Sequence, residues 1–442
     1  MNKRTLFTLI TVLLLAGIAA CIIFIYYIPY QKEYALYKDT FMPKQKMQDD
    51  FDYVWDFVEN GYPFKNVCIR AGADLKNIKE EYLNRLNEPR NEYEYCLFYL
   101  GMFNRITGNR QIGHLSIYDP NQTDTKTRKV QNTRIYDTDD EVNRFYEKAV
   151  MNMVQSLKQD KLGGLEKKYG VEIPVDKRSF DEANAAMLES RIIEDKAIAY
   201  LNIKSFSPYG AHDAYVQNLT GILKSFEGYK HLIIDLRENS GGHSYLWRKY
   251  IVAPLIKEPI TYFAIVAYNS KNKFYKILED NFFDKPFGTK DNIDDSDFAN
   301  LNKEDRKEFD SAIDSGFTIR PSEERINFQG RVWILIGPDT ISSGDQFAYF
   351  AKYKNDAYIN FATVVGGNTG GEGLNLLPNR LYLKLPQSHM LIQSDMGYGF
   401  NPDGSCNSET GTSPHIKNLP DKDALETCLA EIHLIESQLK RN

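Results

Sequence analysis

The sequence is poor in cysteine and lacks any long basic run. Its five cysteines, in a chain of 442 residues, form no CxxC pair and no Cys/His cluster with zinc-finger spacing, which argues against a structural zinc site. Lysine and arginine (54) are outnumbered by aspartate and glutamate (60), and the formal net charge is −6. A nucleic-acid partner is therefore not expected. The hydrophobic content of 42% is sufficient for two or three domains with cores.

One long uncharged run lies near the N-terminus, at residues 6–27. It is longer than the apolar part of a cleaved signal peptide and reaches the roughly 20 residues that a helix needs to cross a bilayer. We expect a cytoplasmic tail (1–5), an uncleaved single-pass anchor (6–27) and a linker (28–46), with the remaining chain outside the cytoplasm at the cell membrane. Lipoprotein cleavage before Cys21 is an alternative.

The other four cysteines bear on the redox environment. Outside the cytoplasm they are able to form disulfides, and the simplest pairing joins Cys406 to Cys428 and Cys68 to Cys96. Four free thiols are the alternative.

The rest of the chain divides by pattern. Helical spacing of apolar residues predicts a small helical domain at 47–118, which is followed by an intermediate region at 119–195. From 196 to 432, apolar strands alternate with amphipathic helices, which predicts an α/β core. A charged, Asn-rich stretch at 270–328 interrupts this core and is expected to be an insertion or lid.

Two turns that follow predicted buried strands carry candidate catalytic groups. The first contains Gly241 and Gly242, and adjacent glycines let backbone N–H groups point outward, as an oxyanion site requires. The second follows the strand Arg331–Ile336 and carries Ser342 and Ser343 ahead of a helix. These serines are either helix caps or, at Ser342, a nucleophile beside the N–H of Ser343.

A third segment, at 366–373, is rich in glycine. It lacks the Gly-Lys-Ser/Thr ending of a phosphate-binding loop, which argues against nucleotide binding. Its one charged residue, Glu372, is either a solvated loop charge or an acid presented to a site.

Together, these segments resemble the tail-specific, or C-terminal processing, serine peptidases, a family that includes the tricorn core protease and the interphotoreceptor retinoid-binding proteins. Residues 235–242 match the family's Asp-Leu-Arg-x-Asn-x-Gly-Gly turn, and the spacing to Asp345 selects Ser342 rather than Ser343 as the nucleophile. The resemblance implies a ClpP/crotonase-like α/β catalytic core behind an N-terminal helical domain. The PDZ module that is usual in the family is not recognisable at 119–195.

The resemblance also assigns roles to three side chains. Glu372 occupies the position at which Ser-Lys members carry their lysine, and a carboxylate cannot replace a neutral amine as the base. This points to the tricorn-like branch, in which serine, histidine and glutamate act together. The base implied is His114, with His243 as its competitor, and Glu372 is expected to orient the imidazole of His114.

The function implied is a membrane-anchored extracytoplasmic serine endopeptidase or C-terminal processing peptidase that hydrolyses peptide or protein substrates through an acyl-enzyme. The catalytic residues are then Ser342, His114 and Glu372, and the oxyanion donors are drawn from Gly241, Gly242 and Ser343. No metal or organic cofactor is required. A non-catalytic relative that binds peptides or hydrophobic ligands, and an esterase with the same triad, are the alternatives.

Overall fold

The computed structural model describes most of the chain beyond the N-terminal segment. The predicted anchor at 6–27, the Cys21 cleavage alternative and most of the region 119–195 lie outside the described residues. Among the residues that are described, no helix combines the length and the apolar character needed to cross a bilayer. The described ranges are 42–90, 92–118, 167–170, 180–208, 212–282, 300–352, 361–375 and 380–441.

Helices dominate the first part of the described chain, in agreement with the helical pattern at 47–118. Phe51, Trp55 and Val58 recur at helical spacing, and all three side chains are buried. Burial of side chains of this size contributes about 1.5–3 kcal/mol each to stability. The elements are α1 (Lys44–Asn60), α2 (Lys65–Arg70), α3 (Leu75–Asn84), α4 (Glu92–Thr107), a 3₁₀ turn (Ile112–His114) and β1 (Ser116–Tyr118).

Strands and helices then alternate, as the sequence predicts for an α/β core. The first half contains α5 (Phe180–Ala185), β2 (Leu188–Glu194), β3 (Ile198–Ile203), α6 (His212–Ser225), β4 (His231–Asp235), α7 (Ser244–Trp247), a π-helical turn (Arg248–Val252), α8 (Ala253–Leu255), β5 (Ile260–Tyr268) and α9 (Lys273–Phe282). The second half contains α10 (Lys303–Arg306), β6 (Ser311–Ile319), β7 (Arg331–Ile336), α11 (Ser343–Lys352), β8 (Thr363–Gly366), β9 (Leu381–Lys384), β10 (Leu391–Ser394), β11 (Tyr398–Gly399), α12 (Asn407–Thr410), β12 (Ile416–Lys417) and α13 (Ala424–Leu439).

In the part of the chain that the structure describes, six strands form the central sheet, in the order β12-β8-β7-β4-β3-β2. All neighbours in it are parallel except the edge strand β2, which pairs antiparallel with β3. Helix α13 packs Cys428 and Ile432 against Trp333 on one face, while α6 and α11 contribute Leu219 and Phe347 to the core on the other. Burial on both faces explains why β4 and β7 are continuous apolar runs.

The described residues also form two three-stranded antiparallel sheets, with the orders β11-β5-β6 and β1-β10-β9. The second of these ties the N-terminal helical part to a late segment of the chain. The predicted insertion at 270–328 includes β6, which pairs with β5 along its whole length, so this part of the stretch is integral to a sheet. Residues 283–299 of the stretch lie outside the described residues.

The expected disulfides do not form. No disulfide bond joins Cys68 to Cys96 or Cys406 to Cys428. Cys428 packs in the cluster under α13, whereas Cys406 and Cys68 belong to the core shared by the N-terminal helices and the small sheets. Burial raises the pKa of the Cys68 and Cys406 thiols to about 12, which keeps them protonated and unreactive at neutral pH.

Candidate active site

Ser342 lies in the turn between β7 and α11, at the carboxyl end of a central strand. Its backbone has a positive φ of 53°, which is uncommon for a residue with a side chain. Two hydrogen bonds hold this conformation, because the N–H of Ser342 donates to Gly371 O (2.8 Å) and its carbonyl accepts from Gln346 N (2.9 Å). The strained turn therefore fixes the hydroxyl at the edge of the sheet.

Gly241 lies directly against this serine. A Cβ atom at position 241 would be 2.7 Å from the Cβ of Ser342, and Gly241 has a φ of +94°. Both the space and the backbone conformation thus require glycine. The turn of the Gly241–Gly242 pair and the serine turn meet because β4 and β7 are parallel neighbours that end at the same edge.

We expect Gly241→Ala to displace the nucleophile. The variant should lose most of its activity and about 1–2 kcal/mol of unfolding free energy, because Ala must adopt a positive φ and clash with Ser342. Urea unfolding and steady-state kinetics measure the two effects. Gly228→Ala is the matched control, since no atom lies within 4 Å of the Cβ it would add. Equal activities of the two variants would contradict this packing.

His114 reaches Ser342 from the N-terminal part of the chain. It ends the 3₁₀ turn before β1, and its Nε2 lies 2.9 Å from Ser342 Oγ although the residues are 228 positions apart. The imidazole is mostly buried, with a side chain 12% exposed. The structure thus brings together the serine and the histidine that the sequence motifs single out.

Asp395 holds the other side of this imidazole. Strand β1 pairs with β10 in the register Ser116↔Gln393, and continuing that register places position 395, just past the end of β10, opposite His114. Its Oδ2 lies 2.6 Å from His114 Nδ1, and its backbone N–H donates to Gly113 O (2.8 Å). The expected contact of Glu372 with the ring is therefore replaced by a contact of Asp395.

The charges around the Asp395–His114 pair determine which imidazole nitrogen of His114 carries the proton. Burial alone would raise the pKa of Asp395, but His114 and Arg380 outweigh it and hold that pKa below its usual value. Burial lowers the pKa of His114, and Arg380 lowers it further against the opposing effect of Asp395. At neutral pH an ionised Asp395 therefore accepts from Nδ1–H, which leaves the Nε2 lone pair to accept from the hydroxyl of Ser342.

We expect this arrangement to appear in the pH profile. A protonated His114 cannot take a proton, so kcat/KM should fall as pH drops through the pKa of His114, with a midpoint below the ordinary 6.5. Arg380→Gln removes a charge that disfavours the imidazolium, so the midpoint should move to higher pH. Arg105→Gln, on an exposed helical face paired with Glu81, is the control. A midpoint that stays or falls in Arg380→Gln would contradict the electrostatic account.

Glu372 contacts the turn that carries His114 and not its ring. Its Oε2 accepts hydrogen bonds from Gly113 N (2.8 Å) and Asn375 Nδ2 (2.7 Å), while its buried Oε1 has no hydrogen-bond partner among the described residues. Burial raises the pKa of Glu372 to about 8, and the nearby charge of Asp395 adds to the effect. The raised pKa favours the protonated form of the carboxyl group at neutral pH.

Asp345 anchors the glycine-rich loop to the start of α11. Its buried carboxylate accepts from Thr369 Oγ1 (2.5 Å) and from Gly373 N (3.0 Å). The first turn of α11 is thus tied to both ends of the loop that carries Glu372. In the sequence, the spacing to Asp345 selected Ser342 as the nucleophile. In the structure, Asp345 has a structural role.

The three expected oxyanion donors are not equivalent. The N–H of Gly241 donates to Asn239 Oδ1 at 3.0 Å, because the Asn239 side chain folds back over its own turn. Among the described residues, no acceptor engages the N–H of Gly242 or of Ser343. Ser343 is also the first residue of α11, where the helix dipole favours negative charge. Gly242 and Ser343 are thus the available pair, and Gly241 is not.

His243, the competing base, lies beyond the glycine turn. Its backbone N–H donates to Phe206 O (2.8 Å), and its ring packs beside that of Tyr245. The ring hydrogen-bonded to Ser342 is that of His114. Asp395 is the site residue that the sequence analysis missed; the available signal was the polar Gln393-Ser394-Asp395 ending of a short apolar strand.

One group of side chains has the composition of a metal site. His114, Glu372 and Asp395 each offer a ligand atom, and these atoms lie within 4.8 Å of one another. However, His114 Nδ1 and Asp395 Oδ2 are hydrogen-bonded to each other, and Arg380 Nε donates to Asp395 Oδ1 (3.2 Å). His114 and Asp395 are therefore already engaged in a hydrogen-bonded relay, and Glu372 lies outside it.

Comparison with known proteins adds a family match. The model of peptidase family S41 matches residues 197–418, which is just over half of the chain. No curated protein sequence matches the chain.

Three solved structures are similar to this chain at low identity and with TM-scores below 0.5. A candidate peptidase from Parabacteroides merdae ATCC 43184 is 16% identical, with a TM-score of 0.44 over 88% of this chain and 96% of its own. Mature CPAF in complex with lactacystin is 18% identical (TM-score 0.34; 55% of this chain and 51% of its own). The photosystem II D1 C-terminal processing protease is 14% identical (TM-score 0.30; 52% and 45%).

Proposed function

Since this chain belongs to peptidase family S41 and is a serine-type peptidase, we propose that it cleaves peptide bonds through an acyl-enzyme on Ser342. The observation that carries the proposal is the unbroken relay from Asp395 through His114 to Ser342, with contacts of 2.6 and 2.9 Å. A base within 3.2 Å of a serine hydroxyl, oriented by a buried carboxylate, is the arrangement that activates a serine.

The first half-reaction uses His114 as the base. Nε2 accepts the hydroxyl proton of Ser342 as Oγ bonds to the substrate carbonyl carbon, and the carbonyl oxygen takes the negative charge. The ionised Asp395 stabilises the imidazolium that forms, because it is buried within hydrogen-bond distance. Two backbone N–H groups receive the oxyanion, that of Gly242 in the glycine turn and that of Ser343 at the start of α11.

The second half-reaction returns the proton. Nε2–H protonates the leaving amine as the carbon–nitrogen bond breaks, which leaves an ester on Ser342. A water molecule then attacks this ester with His114 again acting as base, and the second product leaves with a free carboxylate. Every step uses groups of this chain and water only.

Glu372 supports the base through the backbone in this proposal. His114 has a positive φ of 50°, which is uncommon for a residue with a side chain, and the preceding Gly113 has a φ of 60°, which glycine readily adopts. The hydrogen bond from Gly113 N to Glu372 Oε2 restrains the backbone of this turn next to His114, whose side chain carries the imidazole. Glu372 is therefore a positioning residue, while Asp395 takes the role that the motifs predicted for Glu372.

The setting that we propose for this activity is outside the cytoplasm, on a single-pass anchor at 6–27. The support is the uncharged run in the sequence, whose length suits a bilayer. Proteolysis of intact cells before and after permeabilisation, followed by detection of the chain, tests this. Protection in intact cells would contradict the orientation.

The activity itself is tested with a peptide library and mass spectrometry, using the full chain and its Ser342→Ala variant. Cleavage by the parent alone is expected. The proposal would be overturned if the folded parent neither cleaved any peptide nor formed an adduct with a serine-reactive probe. Equal cleavage by the parent and by Ser342→Ala would also overturn it.

A further inference from the structure

Strand β2 (Leu188–Glu194) leaves one edge of the central sheet open. It stands last in the strand order, and no described strand pairs with its outer side. Most of its residues are exposed, and Ile192 keeps 46% of its surface accessible to solvent. An open edge presents a row of main-chain N–H and C=O groups with which another strand can pair. The outer edge of β2 is therefore a surface for the addition of a partner strand.

The main chain of β2 determines which residues such a strand meets. Just ahead of β2, the N–H of Lys204 donates to Met187 O (2.9 Å), so the main-chain polar groups of residue 187 point toward β3. These directions alternate along an antiparallel strand. The N–H and C=O groups of Leu188, Ser190 and Ile192 consequently point away from the sheet, into the free edge.

Two charged side chains of β2 lie on the face of the sheet that α13 covers. The guanidinium carbon of Arg191 lies 4.6 Å from the ring centroid of Tyr200, which belongs to the cluster under α13. Glu189 is exposed and, two positions from Arg191, projects from the same face. Neither charge has an ion-pair partner among the described residues. Both are therefore available to a strand that pairs with β2.

We propose that the partner of this edge is a second copy of the chain, which pairs β2 with β2 antiparallel about a two-fold axis at Ser190. In this register, Glu189 lies opposite Arg191 of the other copy, and symmetry repeats the pair. Leu188 lies opposite Ile192 of the other copy, so the exposed isoleucine gains an apolar neighbour. The outward-pointing main-chain groups of both copies then hydrogen-bond to one another.

Charge selects this register over its neighbours. Facing residues of two antiparallel strands must both point their main-chain groups into the shared edge or both away from it, so the axis moves in steps of one residue. An axis at Glu189 places two glutamates face to face, and an axis at Arg191 places two arginines face to face. Like charges directly opposite destabilise a strand pair, whereas opposite charges and apolar pairs stabilise it. Of these three registers, the axis at Ser190 alone pairs opposite charges.

The resulting assembly is a closed dimer, because the same strand serves on both copies. The central sheets of the two copies join into one continuous sheet across β2. The parallel strands of one copy run opposite to those of the other. Since Ser342 follows the carboxyl end of β7, the two candidate active sites open at opposite ends of the joined sheet.

Cysteine cross-linking tests the contact and its register. In the purified full chain, Ser190→Cys brings two thiols face to face on strands whose Cα atoms are about 5.5 Å apart, a separation that a disulfide spans. Mild oxidation should convert most of this variant into a disulfide-linked dimer on a non-reducing gel. Ile192→Cys is the matched control, because its two copies lie about 13 Å apart along the strands. This control and the parent chain should remain unlinked.

Charge reversal tests the ion pairs. Glu189→Arg and Arg191→Glu each place like charges face to face, so either change should raise the dissociation constant of the dimer at least about tenfold. The double variant restores both pairs with exchanged signs and should recover the dimer. Sedimentation velocity of the full chain in detergent measures these constants. Glu80→Arg, at an exposed position of α3, is the control, and unchanged thermal unfolding confirms that each variant folds.

Three results would overturn the inference. The first is a parent chain that stays monomeric at the highest attainable concentration, with no cross-link in Ser190→Cys. The second is a dimer that both single charge reversals leave intact, which would show that the copies join through another surface. The third is cross-linking of Ile192→Cys that equals that of Ser190→Cys, which would contradict the register. None of these outcomes bears on the peptidase function.

Discussion

Ser342→Ala should lower kcat by about 10⁴- to 10⁶-fold, because removal of the attacking oxygen disables the whole relay and leaves only substrate binding and the oxyanion donors. The fold should survive, since the turn is held by the backbone bonds of Ser342 to Gly371 and Gln346. Turnover of a peptide from the library, measured with both proteins at equal concentration, gives the ratio.

Ser343→Ala is the matched control for this experiment. The Oγ of Ser343 is buried and has no hydrogen-bond partner among the described residues, whereas its N–H is retained in the variant. We expect a loss of less than about tenfold, in keeping with an intact oxyanion donor. A large loss in Ser343→Ala with little effect of Ser342→Ala would reverse the choice of nucleophile.

Asp395→Asn and Glu372→Gln should have very different effects. Asparagine in place of Asp395 can donate to Nδ1 and thereby stabilise the wrong tautomer of His114, so kcat should fall by about 10⁴-fold. Glutamine in place of Glu372 keeps an acceptor for Gly113 N and resembles the protonated carboxyl group of the native residue. Its loss should stay below about tenfold. Steady-state kinetics of the two variants at pH 7 separate the roles.

Glu372→Ala completes this comparison. It removes the acceptor for Gly113 N altogether, so activity should fall well below that of Glu372→Gln while the pH midpoint set by His114 and Asp395 remains. A loss in Glu372→Gln equal to that in Asp395→Asn would show that Glu372 acts directly on the imidazole, as the sequence suggests.

The strands and helices of the core follow closely from the sequence. The apolar run Arg331–Ile336 is β7 with the same bounds, and the helix predicted to follow it is α11. Such segments are predictable because both faces of a parallel sheet are buried, which leaves a continuous apolar signal. The short strands β1 and β10 lack that signal, since they span only three and four residues.

The candidate catalytic site was predictable only where it lies in local motifs. Ser342 and the glycine turn carry sequence signatures, and His114 follows a recognisable helix. Asp395 lies 281 residues from His114, and only the antiparallel register of β1 and β10 brings them together. The polar ending of β10 hints at a functional position, but nothing local shows that it pairs with the turn of His114, so the sequence analysis assigned the acid to the more conspicuous Glu372.

Local sequence is also insufficient to identify the candidate oxyanion donors, although these lie within one turn. Adjacent glycines indicate an exposed backbone turn, which is correct for Gly242. The hydrogen bond from Gly241 N to Asn239 depends on the rotamer of one side chain, which the motif does not specify. A local pattern thus located the turn but did not identify which N–H group points toward the substrate.

The central claim is that His114 activates Ser342, and a fluorophosphonate probe tests it most directly. The account predicts a single adduct on the full chain, mapped to Ser342 by mass spectrometry, whose rate of formation rises with pH with a midpoint below 6.5 and collapses in His114→Ala. An adduct on another residue, or labelling of Ser342 at an unchanged rate in His114→Ala, would contradict it.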